Sequence, residues 1–213
     1  MNDVIPKGAA VVGGSVIAFA GDLPDSHRED IYLSTMYAQR ATRAAFNDGL
    51  SGDWFAYYRN LLKYVGWDVP APERLSLRPG DSMGEQASQG ISSRLGERFS
   101  SPVTRALAAL ERDSLALDLF ESTSLSQNAG CFQIIPCALK DPNRVEMGIY
   151  HRQFQIRRSI SRFLFIEHED LVHSSTEQMS VITFNTLYYA QFREKVKKAV
   201  LSQSMKYLRG LEI

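Results

Sequence analysis

The sequence predicts an α+β protein in which helices pack on one face of an antiparallel sheet. Apolar residues recur at helical spacing up to Ser124, and segments rich in Ile, Val, Phe and Met follow. A last pattern of helical spacing predicts a closing helix. Because the links between the strand segments are short, we expect an antiparallel meander of four to five strands. Helices and strands do not alternate along the chain, which argues against a doubly wound fold.

The composition is that of an ordinary globular chain. Its 213 residues are 44% hydrophobic, with 24 basic and 24 acidic side chains, and this length suits a single domain, 1–213. Zero net charge argues against affinity for duplex nucleic acid, which needs a basic excess. Two cysteines cannot build a disulfide framework, so we expect a cytoplasmic protein, with export by a non-classical route left open. No apolar stretch reaches the length of a transmembrane segment.

The N-terminal third predicts a strand and a helical hairpin. The apolar segment Ser15–Ala20 predicts a buried or edge strand. Ser26 and Glu29 have the spacing of a capping box, so the first helix is expected to begin there and to end near Gly49. A second helix with an apolar face follows and ends at Gly66.

The segment from Val69 to Ser101 interrupts this pattern. It is rich in Pro, Gly, Ser and Gln, and we therefore expect a flexible region at about 69–101. A mobile loop and a glycine-weakened helix are the two alternatives. Ser101 and Pro102 then predict the start of a third helix, because Pro is favoured at the first helical position.

The strand segments are separated by turn residues. The third segment is apolar on both faces at Phe163 to Ile166, so it is predicted to be central. The apolar parity changes between Ile149 and Phe154, which predicts a bulge near 151–153. Asn185 is predicted to cap the closing helix, which ends at Gly210. The segments are Cys131–Ala138, Val145–Ile156, Ile160–Ile166 and Gln178–Phe184.

Several short pieces of the sequence resemble a family of small, uncharacterised bacterial and fungal α+β proteins. The similar pieces are Ile31–Ala38, Tyr64–Trp67, Leu119–Ser124, Phe132–Ile134 and Leu208–Ile213. The resemblance would extend over most of the chain, but the similar pieces are packing patterns rather than chemical motifs. The resemblance therefore implies one continuous domain and no activity.

One motif pair has the chemistry of a serine esterase. Gly80–Gly84 fits G-x-S-x-G and resembles the GDS block of SGNH-type esterases, and Asp170 and His173 match the second block, D-x-x-H. In such an enzyme Ser82 attacks, His173 takes its proton and Asp170 orients the imidazole. The elbow should follow a buried apolar strand, whereas Arg74–Pro79 is polar. The sequence therefore favours a polar turn and a charged hairpin tip over a triad.

Two further groups of residues could bind a metal or carry a thiol modification. Glu167–Asp170 and His173 include metal-ligating types, but a solvated hairpin tip is favoured, and we predict no metal and no cofactor. On one strand Cys131 and Cys137 would lie about 20 Å apart, too far for a disulfide. They are predicted to be small buried side chains, with a reactive or acylated thiol as the alternative.

An arginine cluster and an aromatic stripe complete the candidates. The arginines, near His151 and Phe154, could bind phosphate or single-stranded nucleic acid, but a solvated sheet edge is favoured. The aromatic stripe is predicted to be core. The arginines are Arg152, Arg157, Arg158 and Arg162, and the stripe is Trp54, Tyr57, Tyr58, Tyr64 and Trp67.

The sequence thus favours a non-enzymatic binding or assembly protein. Its expected partner is another protein, a lipid or a second copy, since an exposed edge of an antiparallel sheet offers a pairing surface. A serine esterase using Ser82, Asp170 and His173 is the alternative. A second alternative is a membrane-active, virulence-type protein that uses its apolar N-terminal segment and two-faced strands.

Overall fold

A computed structural model describes residues 6–21, 23–50, 52–76, 81–157, 160–167, 172–201 and 208–213. Within these ranges a curled mixed sheet has helices on both faces. The helices are α1 (Asp25–Asn47), α2 (Trp54–Tyr64), α3 (Met83–Leu95), α4 (Glu97–Arg112), α5 (Ser114–Ser124), α6 (Thr186–Tyr189) and α7 (Arg193–Leu201). The strands are β1 (Ala9–Val12), β2 (Ser15–Ala20), β3 (Trp67–Asp68), β4 (Glu73–Arg74), β5 (Leu125–Ser126), β6 (Ala129–Asp141), β7 (Arg144–Ile156), β8 (Val172–Asn185) and β9 (Leu208–Leu211). The α+β class is confirmed.

The sheet is mixed rather than an antiparallel meander of four to five strands, so that finer prediction is not confirmed. The strand order is β3-β8-β7-β6-β2-β1-β9, with β4 beside β8 and β5 beside β6. The strands β6, β7 and β8 form an antiparallel meander, but β2 runs parallel to β6. Five helices separate β2 from β6 in the chain, which is more than enough for the crossover that parallel pairing requires.

The helices cover both faces of the sheet, and the prediction of a single covered face is wrong. Along β7, Met147 and Ile149 pack in the core with α1 and α2. Tyr150 and Phe154 pack in a second core with α3, α4 and α5. A sheet that is apolar on both faces needs a helical layer on each. The alternation also explains the change of parity, and pairing continues without a register shift through 151–153, so the bulge predicted there is wrong.

The predicted central strand at 160–166 is a turn. Phe163 and Leu164 are fully buried, as predicted, but Ile166 is 37% exposed. The backbone N–H of Gly84 donates to the Leu164 carbonyl (2.8 Å), and the Phe163 N–H donates to the Glu121 carboxylate (3.1 Å). Apolar side chains in this turn reach the core beneath α3 and α5 without strand pairing, which is why the apolar run imitated a strand.

Two helix boundaries differ from the prediction. Helix α1 begins at Asp25 after Pro24, with no side-chain cap, so the capping box at Ser26 is wrong. Part of the interval 69–101 forms α3 and the start of α4, which matches the glycine-weakened helix rather than the loop. The third predicted helix is therefore α4, and it begins at Glu97 rather than at Ser101.

The C-terminal part is not one continuous helix. Asn185 caps α6, as predicted, by accepting from the Tyr188 N–H (3.1 Å). Gly210 lies in β9, paired with Ala10 of β1, and does not end a helix. A Cβ at Gly210 would lie 3.1 Å from Pro6. This close approach favours glycine at that position.

Candidate functional site

Ser82 is the N-cap of α3. Its Oγ accepts from the Glu85 N–H (3.3 Å) and donates to Glu85 Oε2 (2.8 Å), while its own N–H donates to the same oxygen (2.9 Å). These hydrogen bonds hold the pKa of the Glu85 carboxyl below its usual range. Ser82, the serine of the predicted esterase elbow, is thus also the first residue of S-x-x-E at 82–85, the sequence of a capping box.

The proposed triad partners of Ser82 are not assembled around it in the part of the chain that the structure describes. His173 is exposed in β8, and no hydrogen bond between described residues joins it to Ser82. Asp170 lies outside the described residues. The esterase triad therefore stays a prediction.

The candidate metal ligands fall mostly outside the described residues. Glu167 and His173 are described, while the intervening 168–170 are not. Among the residues that are described, no group of three or more His, Cys, Asp or Glu side chains could hold a metal ion. No helix in the same ranges is long and apolar enough to cross a membrane.

Both cysteines are free thiols on the sheet. Cys137 is buried, and Cys131 is partly buried. Burial raises the pKa of the Cys131 thiol to about 12, opposed by the nearby charge of Arg43, and burial raises the pKa of Cys137 well above its usual value. Such thiols remain protonated at neutral pH and are poor nucleophiles.

The arginine cluster does not form a solvated edge. Arg152 is buried and pairs with Glu177 (2.8 Å), and it donates to Ser175 (2.8 Å) and to Gln86. Arg162 forms a separate exposed pair elsewhere, with Glu111. Arg157 is exposed, and Arg158 lies outside the described residues. The three guanidinium groups that the structure describes therefore do not converge on one phosphate site.

Most of the aromatic stripe belongs to the core, as predicted. Trp67 is buried and its Nε1 donates to Ser34 Oγ (3.2 Å). Trp54 stacks on Tyr58, with ring centroids 5.1 Å apart. Tyr64 is the exception, because 53% of it is exposed at the C-terminal end of α2.

Tyr64 is part of an exposed patch, called here the aromatic–lysine surface. Its ring lies 5.5 Å from that of Phe192, which lies 5.4 Å from that of Tyr188. Lys195 Nζ lies 5.3 Å from the centre of the Tyr64 ring and 3.3 Å from its hydroxyl. Leu187 is 66% exposed and Tyr188 is 50% exposed. The surface consists of Lys63, Tyr64, Leu187, Tyr188, Phe192, Lys195 and Lys198.

Local backbone features bring these side chains together from two parts of the chain. Gly66 has a φ of +99°, and a Cβ there would lie 2.8 Å from the Tyr188 ring. Glycine therefore lets α2 end against α6. The Asn185 cap fixes the start of α6, and the break between α6 and α7 directs Phe192 toward Tyr64.

The surface keeps a positive excess. On α7, Arg193 pairs with Asp30 (2.6 Å) and Lys197 with Glu29 (3.1 Å), so these two charges are compensated. Lys63, Lys195 and Lys198 form no ion pair with any described residue. Glu194 in the first turn of α7 is acidic, and its charge offsets that of one of these lysines.

Only part of this surface is evident from the sequence. The basic face of the last helix is evident from Arg193, Lys195, Lys197 and Lys198. What sequence reasoning missed is the break before Arg193. A continuous helix would place Phe192 inward, whereas the break leaves it half-buried against Tyr64.

The described chain is an α+β protein with a mixed sheet between two helical layers. No protein-family model matches its sequence, and no curated protein matches it. Solved structures with some similarity include a delta-endotoxin (TM-score 0.44, 11% identity, 86% of this chain and 84% of that one). Another is the Evf virulence factor (TM-score 0.41, 14% identity, 98% and 87%). A third is the activated Cyt2Ba monomer from Bacillus thuringiensis subsp. israelensis (TM-score 0.31, 14% identity, 56% and 69%). At such scores the similarity carries no information about function.

Proposed function

We propose that the protein is a non-enzymatic binding protein that docks on anionic lipid surfaces through its aromatic–lysine surface. The observation that supports this is the contact of Lys195 with the exposed Tyr64, beside Tyr188 and Phe192. Exposed aromatic rings bordered by lysines are typical of proteins that lie at the membrane–water interface.

The aromatic part supplies the apolar contact. Tyrosine has an apolar ring and a polar hydroxyl. It therefore suits the headgroup region of a bilayer, where the ring can face the apolar side and the hydroxyl can face water. Tyr64 and Tyr188 are each about half exposed, and Leu187 projects furthest into solvent. In solution this apolar area faces water, and transfer to a lipid interface would remove it from water.

The lysines supply the attraction to negative charge. Each Lys close to an anionic leaflet contributes about 1 kcal/mol, and this contribution falls off within a Debye length. Lys63, Lys195 and Lys198 are therefore expected to make binding depend on anionic lipid and on salt. A neutral bilayer offers only the apolar contact, so binding to it should be weaker.

The test is co-sedimentation with vesicles of phosphatidylcholine, with and without phosphatidylserine. The wild type should bind the anionic vesicles and lose this binding as salt rises. The double variant Leu187→Ser/Tyr188→Ser should bind weakly. Leu115→Ser is the matched control, because Leu115 is 59% exposed on α5 and outside the surface. Equal vesicle binding by wild type and double variant would refute the proposal.

Two further measurements test the contribution of charge to vesicle binding and the self-association of the protein. Lys195→Gln and Lys198→Gln should each reduce anionic vesicle binding about fivefold, the equivalent of about 1 kcal/mol, while Lys140→Gln on β6 should not. Sedimentation without vesicles shows whether copies associate. If the double variant converts a dimer to a monomer and vesicle binding is absent, the surface is a protein interface and the lipid proposal is wrong.

A further inference from the structure

A cleft, called here the α1–α5 cleft, lies between α1, the end of α5 and the β5–β6 hairpin. Its volume is about 230 Å³, and an adjoining space of about 260 Å³ along α1 shares Arg43, Asn47 and Thr123 with it. The cleft is separate from the aromatic–lysine surface, since none of its lining residues belongs to that surface. The further lining residues used below are Phe46, Trp54 and Leu125.

The charge of the cleft has one sign. Among the described residues that line the two spaces, the charged ones are Arg40 and Arg43, and no carboxylate is present. Arg43 is exposed at the rim, forms no ion pair with a described residue, and is oriented by donation from Nη2 to the Thr123 carbonyl. A guanidinium fixed on one side can present its other N–H groups to a carboxylate.

The cleft lining also has an apolar part. Trp54 stacks on Tyr58 at an interplanar angle of 21° and lies parallel to His151 at 4°, with centroids 5.7 Å apart. These contacts hold the indole in one orientation. Phe46 and Leu125 add apolar area at the same cleft. A planar ring suits such a wall, since offset stacking is favoured between aromatic groups.

We infer that the α1–α5 cleft binds a small planar aromatic carboxylate. Arg43 holds the carboxylate, and the ring lies against Trp54. The volume suits a molecule of one or two fused rings rather than a long acyl chain. The inference is independent of lipid docking.

Calorimetric titration with 2-naphthoate tests this, and 2-naphthalenemethanol serves as a neutral ligand of similar shape. The wild type should bind the carboxylate at least about tenfold more tightly than the alcohol, because charge-assisted hydrogen bonds form only with the former. Arg43→Gln should remove that preference, and Arg43→Lys should restore part of it.

The matched control is Arg98→Gln, because Arg98 also donates from Nη2 to a backbone carbonyl, that of Leu139 (3.0 Å), but lies outside the cleft. It should leave naphthoate binding unchanged. Absence of naphthoate binding by the wild type at about 1 mM would overturn the inference. So would equal affinity for the acid and the alcohol. If Arg43→Gln does not fold, the acid-to-alcohol preference of the wild type and of Arg43→Lys still decides.

Vesicle binding distinguishes this site from the lipid surface. Arg43→Gln should bind anionic vesicles like the wild type, and Leu187→Ser/Tyr188→Ser should bind 2-naphthoate like the wild type. If Arg43→Gln loses both activities, the two sites are coupled and the inference of an independent ligand site is wrong.

Discussion

The two faces of the sheet bury polar groups in different ways. Toward α3, the sheet carries a charged pair, Arg152 and Glu177, both nearly inaccessible. Toward α1 and α2, it carries a neutral cluster around His151, whose Nδ1 accepts from Gln133 Nε2 (3.0 Å). Gln133 in turn accepts from Ser15 (3.0 Å). Strand β7 thus carries a charged contact on one side and a neutral one on the other.

The difference follows from the available partners. On the α3 side Gln86 and Ser175 complete the hydrogen bonds of Arg152, so a buried charge is tolerated. On the α1–α2 side His151 lies between Trp54 and Phe55, and no carboxylate is hydrogen-bonded to it. Burial lowers the pKa of this imidazole to about 3, so His151 is neutral at physiological pH.

The largest expected effect comes from breaking the charged pair. Glu177→Ala leaves the Arg152 guanidinium buried without its counter-ion and should lower the free energy of unfolding by about 3–5 kcal/mol. Urea denaturation followed by circular dichroism measures this change.

The control replaces both charges. Arg152→Met/Glu177→Leu removes the uncompensated charge and should lie within about 1–2 kcal/mol of wild type. If the double variant is as unstable as Glu177→Ala, the cost comes from lost packing or from the contact with Gln86 rather than from an unpaired charge.

The neutral cluster predicts that the stability of the protein depends on pH, because the folded state keeps His151 uncharged. His151 has a folded pKa of about 3 against 6.5 for the unfolded chain. Below pH 6.5 the imidazole therefore binds a proton in the unfolded state but not in the folded state. The free energy of unfolding consequently falls as the pH drops from about 6.5 toward 3. By pH 5 the loss should be about 2 kcal/mol.

His151→Phe isolates this contribution, because the ring keeps its stacking with Phe55 but cannot titrate. Its stability should change less between pH 7 and pH 5 than that of the wild type, by about 2 kcal/mol. An unchanged pH dependence would show that His151 is not the group that titrates over this interval.

The sequence predicted the elements of the two faces better than it predicted how these elements are layered. Helices α1 and α2 were predicted because Tyr58 and Leu62 share a face with other apolar residues. The strands β6 to β8 were predicted from runs of β-branched and aromatic residues. The predicted number of helical layers was wrong, because Met147 and Tyr150 are both buried but pack against different helices. Periodicity reports that a strand is buried on two faces but not what covers each.

The pairing of strands that are distant in the chain could not be predicted from the sequence either. Nothing local distinguishes β2 parallel to β6 from β2 at an edge, because the partner lies more than a hundred residues away. The aromatic–lysine surface joins Tyr64 to Phe192 across a similar separation. Composition correctly marked the lysines of the last helix but could not place an aromatic ring from α2 beside them.

The smallest expected effect concerns the start of α3, and it distinguishes a cap from a nucleophile. Ser82→Ala removes the acceptor for the Glu85 N–H and should lower the free energy of unfolding by about 1 kcal/mol. Ser82→Asp keeps an N-cap acceptor and should recover most of that loss. Asp53 is the natural comparison, because it caps α2 on the other face by accepting from the Ala56 N–H (2.9 Å). Denaturation of both serine variants, together with Asp53→Ala, measures the two caps on one scale.

The same proteins test the esterase: a nucleophilic Ser82 would make hydrolysis of short acyl esters disappear in Ser82→Asp although its stability is restored. If the wild type shows no turnover and Ser82→Ala loses only stability, the role of Ser82 is that of a helix cap.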